Sequence, residues 1–345
     1  MTHRGNGYEC DSRFIAAHHQ PATLIDLALS RDIDSHRLLR GTGLFYDDIV
    51  AGEQRISPQQ FLALIGNARR LLDADDTSFL FGQRLFPGHY GAASDALRHA
   101  ANLQEALDLL VAQRALLSPL LAPRLLLDEQ DAWLYWVDAC GAGEHQRFLV
   151  ETAMTAVLGM SRWLSGERLP WRCHFSHGQP RWVEQYWVHL GEDVLFERQI
   201  DALQIPRQYL ARPWPQASLT AGRVARQQCE RQREELGFDA SLLEGLYHWL
   251  LARVREAPTL EQAAQAFDMS PATLKRKLAK HGTHYQEQRD LVRKHVALYL
   301  YRIKGYSNEE VASYLHFHDA TNFRRSFKRW TGLSPSALRR VLMGG

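Results

Sequence analysis

Cationic side chains recur at helical spacing near the end of the sequence. Residues that can bind anions or form hydrogen bonds occupy positions i, i+3, i+4 and i+7 of one segment, namely Thr321, Arg324, Arg325 and Lys328. Three aromatic residues lie on a different face of the same predicted helix, namely Phe323, Phe327 and Trp330. Such a helix buries its aromatic face and exposes its cations. Because arginine pairs bidentately with guanine and lysine more often meets phosphate, the pattern predicts contact with duplex nucleic acid.

The element that must position this helix is a helix-turn-helix, and the sequence contains two copies of its pattern. The copies span residues 260–280 and 307–330, and each has a short helix, a turn and a capped second helix. Helix-start signals are the capping-box pairs Thr259 with Gln262 and Ser307 with Glu310, the Ser270-Pro271 step, and Asp319. In the first copy Leu274 and Leu278 are the predicted anchors. The exposed groups there are Ala272, Lys275 and Arg276.

A linker helix is predicted between the two copies, over residues 285–304. Its apolar stripe consists of Val292, Val296, Tyr299 and Ile303. At about 1.5 Å per residue, the part from Tyr285 to Tyr301 spans roughly 25 Å. With a turn at each end, this helix could hold two recognition helices about one duplex turn apart, roughly 34 Å. One chain would then read two successive segments of the major groove.

Charge is distributed unevenly along the 345 residues. The whole chain has 41 Lys+Arg and 39 Asp+Glu, a formal net charge of +2. Residues 238–345 contain 17 Lys+Arg and 10 Asp+Glu, a net charge of +7, so the preceding residues have a net charge of −5. All six lysines follow residue 274. A basic segment of this kind is typical of the part of a protein that binds a polyanion, and nucleic acid is the first candidate.

Several function classes lack their sequence signals. The four cysteines are far apart with no C-x-x-C pair, which indicates reduced thiols rather than a disulfide framework or zinc site. No apolar signal core or membrane segment is recognised, because Arg114 and Arg124 interrupt the most leucine-rich stretch. Motifs of hydrolases, nucleotide-binding enzymes and zinc proteases are missing, and the histidine pairs lack a third ligand. We therefore expect a cytoplasmic protein with no enzyme activity, no cofactor and no metal.

The acidic part is predicted to have an α+β fold. Helical periodicity covers most of residues 21–121, residues 125–137 have the pattern of a β-hairpin, and strands are expected near residues 171–175 and 203–205. Two prolines flank Trp214 and end the regular structure before a polar helix. The predicted organisation is a polar arm (1–20), a sensor or dimerisation domain (21–211), a linker with the polar helix (212–239), and an all-α domain with two helix-turn-helix units (240–345).

Aromatic residues are concentrated in the α+β part. Seven of the nine tryptophans lie between residues 133 and 214. Such residues are more often core than pocket, but an apolar effector pocket would also use them. The candidate pocket residues, chosen beside a loop or on an alternating strand, are Tyr90, Trp133 and Tyr135.

Residues 240–345 resemble the DNA-binding domain of the AraC/XylS family of bacterial transcription regulators. The resemblance is carried by residues 269–278 and 322–335, which are close to the family's two helix-turn-helix signatures. It implies base-contacting roles for Ala272, Lys275, Arg276, Ala320, Thr321, Arg324 and Arg325. This chain departs from the family pattern at the two turns, where Asp268 and His316 replace the common glycine, and at Leu338, which replaces an aromatic residue.

Residues 22–210 are similar to a sensor domain named for arabinose binding. It occurs in a subset of the same family that includes regulators of ornithine use and of virulence. The similarity is carried by residues 86–91, by the helical segment 97–110, and by residues 175–177 with Pro180. It implies an effector-binding or dimerising domain.

These observations predict a sequence-specific DNA-binding transcription regulator. We expect an activator that forms a homodimer, responds to a small molecule and contacts RNA polymerase on promoter DNA. An alternative is a constitutive dimer whose N-terminal domain binds no effector. A third hypothesis, an enzyme fused to a DNA-targeting domain, requires turnover of a metabolite.

Overall fold

The structure is a computed structural model that describes residues 7–338. The chain divides into two compact units, an N-terminal unit formed by Gly7–Ser241 and a C-terminal unit that begins at Leu242. Among residues 7–338, no helix is both long and apolar enough to cross a membrane. All four cysteines are buried free thiols.

The N-terminal unit combines eleven α-helices with seven strands in its described residues. The helices are α1 (Gln20–Leu29), α2 (Ser35–Leu39), α3 (Tyr46–Val50), α4 (Pro58–Leu72), α5 (Thr77–Leu85), α6 (Ala92–Arg98), α7 (Leu103–Ala112), α8 (Arg114–Leu117), α9 (Gln146–Ser165), α10 (Val183–Leu190) and α11 (Leu219–Leu236). The strands are β1 (Ile15–Ala16), β2 (Arg55–Ile56), β3 (Leu121–Leu127), β4 (Asp131–Asp138), β5 (Arg172–His174), β6 (Val194–Leu195) and β7 (Ala202–Pro206).

A five-stranded sheet forms the β layer of this unit. Its strand order is β3-β4-β7-β5-β6, and all neighbours are antiparallel except β5 and β6. β3 and β4 form the predicted hairpin, whose turn is closed by Asp128, because its Oδ1 accepts the N–H groups of Gln130 (2.8 Å) and Asp131 (2.7 Å). β1 and β2 form a separate two-stranded ribbon. The predicted α+β fold is confirmed.

The beginning of the chain corrects one prediction. The polar arm expected over residues 1–20 is wrong for residues 8–20, because Tyr8, Phe14 and Ile15 are buried. The Tyr8 ring lies 4.5 Å from the Phe14 ring and 5.3 Å from the Phe238 ring, measured between centroids. Polar residues lie between these aromatic residues, so the alternation of buried apolar positions was not recognised in the sequence. Residues 1–6 lie outside the described part.

The segment after the sheet packs into the same unit. The Trp214 side chain is buried, and the backbone N–H of Trp214 donates to the Ala101 carbonyl over 2.9 Å. α11 then begins with Ser218 as its N-cap, packs against α6, and ends at Gly237 in the left-handed conformation (φ 77°). Residues 212–239 therefore belong to the N-terminal unit rather than to a free linker.

Residues 242–338 of the C-terminal unit contain helices and no strand. The helices are α12 (Leu242–Ala252), α13 (Leu260–Ala266), α14 (Pro271–Lys280), α15 (Tyr285–Arg302), α16 (Asn308–Tyr314) and α17 (Ala320–Thr331). Residues 335–338 are also helical. α15 packs against α12, α16 and α17, while α13 packs against α14. The all-α class predicted for this part of the chain is confirmed.

Candidate nucleic-acid interface

The first helix-turn-helix consists of α13, α14 and their turn. The predicted capping box forms, because the Thr259 hydroxyl accepts the Gln262 N–H over 3.3 Å and Gln262 Oε1 accepts the Thr259 N–H over 2.8 Å. Ser270 caps α14 by accepting the Thr273 N–H over 3.1 Å. Asp268 in the turn has φ 54°, the left-handed region that favours glycine. The chain therefore keeps the turn geometry without the glycine.

The first recognition helix, α14, is oriented by two leucines. Leu274 and Leu278 are fully buried. Because they lie one turn apart, they turn the opposite face of α14 outward. The three predicted contact residues on that face, Ala272, Lys275 and Arg276, are all exposed.

The second helix-turn-helix repeats this plan with different residues. Its capping box joins Ser307 and Glu310, with the Glu310 N–H to Ser307 Oγ distance at 3.1 Å and the Ser307 N–H to Glu310 Oε2 distance at 2.7 Å. His316 occupies the left-handed turn position with φ 56°. Asp319 caps α17 by accepting the Asn322 N–H over 2.7 Å. Both copies therefore place a non-glycine residue at the strained position.

Aromatic side chains anchor the second recognition helix, α17. Phe323 and Phe327 are fully buried, and Trp330 is half-buried. Phe317, from the turn, packs its ring against Phe323 (5.4 Å) and Trp330 (5.9 Å). The Phe327 ring contacts the Tyr301 ring of α15 at 5.7 Å. These contacts hold α17 on the linker helix.

The remaining faces of α17 present the predicted contact residues. Thr321, Arg324, Arg325 and Lys328 are exposed, whereas Ala320 is half-buried at the start of the helix. Within residues 7–338, none of Arg324, Arg325 and Lys328 forms an ion pair or a side-chain hydrogen bond. Three unpaired cations on a fixed helix make a surface that is complementary to a polyanion.

One interaction that sequence reasoning missed ties α17 to α15. The Arg329 guanidinium donates to Asp290 Oδ2 over 2.8 Å, and Gln286 Nε2 donates to Asp290 Oδ1 over 2.7 Å. Arg329 therefore differs from Arg324 and Arg325 in having a partner inside the unit. The two paired residues are 39 positions apart, and no local pattern indicates their pairing.

The linker helix is buried more extensively than its predicted stripe. Val292 and Val296 are buried as expected, but Tyr299 and Ile303 are only half-buried. Residues on other faces are buried instead, namely Ala297, Leu298, Leu300 and Tyr301. The cause is that neighbouring helices cover α15 on several sides. At its start, the Tyr285 hydroxyl donates to the Pro258 carbonyl over 2.7 Å, and burial raises the pKa of Tyr285 to about 12.

Two cavities in the N-terminal unit are large enough for a small ligand. The first, here called the Glu151 cavity, has a volume of about 850 Å³ and contains Glu151, Arg147 and Trp182 in its wall. The second, here called the α11 cavity, has a volume of about 650 Å³ and is bounded by the last turn of α11 and by Tyr90. Both volumes are typical of sites for small molecules.

The structure does not bring the three candidate pocket residues together. Tyr90 is buried in the wall of the α11 cavity. Trp133 and Tyr135 lie on the other face of β4 from Trp136, which lines a small core cavity of about 50 Å³. Trp133 instead packs against His174 and donates its indole N–H to Asp128 over 2.9 Å. Neither Trp133 nor Tyr135 lines the Glu151 cavity or the α11 cavity.

Comparison with known families and proteins agrees with this architecture. Residues 33–214 match the family described as the arabinose-binding domain of AraC transcription regulator, N-terminal, and residues 263–341 match a helix-turn-helix domain family. The chain is similar to the ornithine utilization regulator of Pseudomonas aeruginosa, with 30% identity over 317 residues that cover 92% of this chain and 94% of that protein.

The chain is also similar to part of one curated protein, and one solved structure aligns with most of it. The chain is 29% identical to the transcriptional regulator VirS of Mycobacterium tuberculosis over 194 residues, which cover 55% of this chain and 56% of VirS. The crystal structure of the transcriptional regulator CdpR from Pseudomonas aeruginosa aligns over 93% of this chain and 98% of that chain, with a TM-score of 0.46 and 20% identity. The chain belongs to the AraC family of transcription regulators and is a DNA-binding protein of the helix-turn-helix type.

Proposed function

We propose that the chain activates transcription by placing α14 and α17 in two successive major-groove segments of a promoter. The observation that carries this proposal is the pairing, in both copies, of a buried anchoring face with an exposed cationic face. In this arrangement the protein performs no chemical step. Its helices supply affinity through phosphates and discrimination through base edges.

Each contact residue has a role that follows from its side chain. Arg276, Arg324 and Arg325 can pair bidentately with guanine, and Lys275 and Lys328 suit phosphate. The smaller residues Ala272, Ala320 and Thr321 can meet thymine methyl groups. DNA binding places the action of the protein in the bacterial cytoplasm, where the promoter is.

The DNA-binding proposal is tested with the full-length protein and duplexes selected from a random pool. The variant Arg325→Ala should weaken binding to the selected duplex by about 1–3 kcal/mol and relax base preference at one position. Arg223→Ala removes an equally exposed arginine from α11 in the N-terminal unit and serves as the matched control. Unchanged affinity in Arg325→Ala would contradict the assigned role.

We further propose that the N-terminal unit dimerises, binds a small effector and alters contact with RNA polymerase. This proposal is supported by the family match over residues 33–214 and by the two cavities. The name of the similar Pseudomonas aeruginosa regulator refers to ornithine utilization, so ornithine is one effector to test. The competing hypothesis is a constitutive dimer without an effector.

Sedimentation and transcription assays separate these hypotheses. A dimer with metabolite-dependent transcription in vitro supports an effector-responsive activator. A dimer whose thermal stability and transcription respond to no metabolite supports the constitutive alternative, since a ligand that binds only the folded state raises its stability. Turnover of a stabilising metabolite would instead favour the fused-enzyme hypothesis.

A further inference from the structure

The α11 cavity has the construction of a ligand site. Its wall combines residues from the segment before α1, from β2 and from the last turn of α11, all of which belong to the N-terminal unit. It therefore lies between the start of this unit and the helix that leads out of it.

Cationic groups dominate the charged part of this wall. Arg13 and Arg55 line the cavity, and Glu235 is the one carboxylate among the described residues of the wall, which also include His18 and His19. Arg13 is exposed and forms no hydrogen bond or ion pair with residues 7–338. Arg55 uses one guanidinium nitrogen to donate to the Phe14 carbonyl over 2.9 Å. Guanidinium donors thus remain available, and their planar fork suits a carboxylate.

The surroundings of His19 indicate a positive potential inside the wall. Burial first, and then the charges of His18, His89 and Arg55, lower the pKa of His19 to about 4. His19 is therefore neutral at neutral pH. An anion in the cavity would be attracted by the permanent charge of Arg55.

The rest of the wall includes apolar side chains and a buried hydroxyl. Phe14, Leu236 and Phe238 provide apolar surface. The Tyr90 hydroxyl is buried with no hydrogen-bond partner of standard geometry in residues 7–338. Burial raises the pKa of the Tyr90 hydroxyl, and the Thr23 hydroxyl lies close enough to lower it in part. The Thr23 hydroxyl donates its own hydrogen to the His19 carbonyl over 3.3 Å. Leaving a buried hydroxyl unpaired is unfavourable, so a ligand acceptor near Tyr90 would be stabilised.

The Glu151 cavity is larger, but the described residues of its wall include four carboxylates, namely Asp73, Asp75, Glu144 and Glu151. Arg147 Nε donates to Glu151 Oε1 over 2.8 Å, and Glu151 Oε2 accepts the Ser78 hydroxyl over 2.6 Å. Arg70 donates to Asn67, and Arg69 contacts His145. A carboxylate ligand there would be repelled by these carboxylates, whereas the described wall of the α11 cavity contains only Glu235 beside Arg13 and Arg55.

We propose that the α11 cavity binds a small organic monocarboxylate with an apolar body, whose carboxylate meets Arg13 and Arg55. This inference rests on the proposed function, because it identifies the chemical class of the effector. Phe238 connects the ligand to the rest of the chain. Its ring packs on the rings of Tyr8 and Phe14, with centroid distances of 5.3 and 5.0 Å, and the residue precedes the C-terminal unit by four positions. Binding of the ligand selects one conformation of the segment from Phe238 to Leu242 and so changes how much of the DNA site is bound by the protein.

The test uses the full-length protein and two matched pairs of probes. Phenylacetate and hexanoate are compared by calorimetry with their uncharged amides, phenylacetamide and hexanamide. We expect at least one acid to bind at least tenfold more tightly than its amide. Arg13→Gln and Arg55→Gln should each weaken acid binding at least tenfold, and Tyr90→Phe should weaken it severalfold. Arg69→Gln, an arginine of the Glu151 cavity, is the matched control and should bind the acid as the wild type does.

Each other outcome overturns the inference. Binding of neither acid, equal binding of acid and amide, or unchanged acid binding in either Arg13→Gln or Arg55→Gln would each refute it. Loss of acid binding in Arg69→Gln would move the site to the other cavity. Calorimetry reports on this inference alone, whereas a failure of the proposed DNA function appears separately as a wild-type protein that selects no duplex.

Discussion

The two helix-turn-helix units have one architecture but are held together in different ways. α14 is anchored by the leucines Leu274 and Leu278, whereas α17 is anchored by Phe323 and Phe327. α17 also has the ion pair between Arg329 and Asp290, which joins it to the linker helix. Larger buried rings fix the second helix more firmly. The comparison indicates that the second copy is the more rigid of the two reading surfaces.

The largest expected effect is on the anchors. Phe323→Ala should reduce the free energy of unfolding by about 3–5 kcal/mol, because it removes a fully buried ring. Leu274→Ala should cost about 2–5 kcal/mol in the first copy. Hydrogen exchange of the α17 and α14 amides measures each loss locally. If Leu274→Ala loosened α14 more than Phe323→Ala loosens α17, the proposed difference in anchoring would be wrong.

The next effect concerns DNA affinity. Arg276→Ala and Arg325→Ala remove equivalent exposed guanidinium groups, and each should cost about 1–3 kcal/mol at a selected duplex, with the larger loss in the second copy. A more rigid helix loses less entropy when it binds, so its contacts contribute more. Fluorescence anisotropy at fixed salt gives both values. A larger loss for Arg276→Ala would reverse the ranking of the two copies.

A smaller effect is expected from the tie between α15 and α17. Asp290→Asn keeps a hydrogen-bonding side chain but removes the charge that pairs with Arg329. Because the Arg329 side chain is 62% exposed, the loss of stability should be only about 0.5–1 kcal/mol. A double-mutant cycle with Arg329→Gln isolates the interaction from other effects of each change. A coupling free energy near zero would mean that the ion pair between Arg329 and Asp290 does not help to anchor α17.

The smallest expected effect is a gain in stability when the turn residues are replaced by glycine. His316→Gly should raise the free energy of unfolding by about 0.5 kcal/mol, because the cost of about 1–2 kcal/mol for a left-handed L-residue exceeds the entropy cost of glycine. Asp268→Gly should gain less, since aspartate tolerates this conformation better. Thermal unfolding of both variants tests this order. A loss of stability in His316→Gly would mean that its side chain has a stabilising role.

Predictions for the recognition units relied on local signals and were accurate for that reason. The capping boxes at Thr259 and Ser307 form as predicted, and the spacing of Leu274 and Phe323 identifies the buried faces correctly. The turn residues Asp268 and His316 adopt the left-handed conformation that a glycine would take. The roles of the exposed residues in DNA binding stay predictions.

Predictions for the N-terminal unit were less complete. A strand exposes alternate residues to opposite faces, and the choice of Trp133 and Tyr135 rather than Trp136 depended on which face the core covers. Burial of Tyr8 and Phe14 depends on Phe238, more than 200 residues away. No periodicity within either segment contains that information.

The amino-acid sequence alone determined the all-α C-terminal fold, its two recognition helices and the basic surface that they present. Capping, helix propensity and apolar spacing act within about ten residues, so these features can be read directly from the order of residues. Only the tertiary structure decided which arginine is paired, which strand face is buried, and where Arg13, Tyr90 and α11 enclose a cavity. Those outcomes depend on contacts between distant segments, which exist only after the chain has folded.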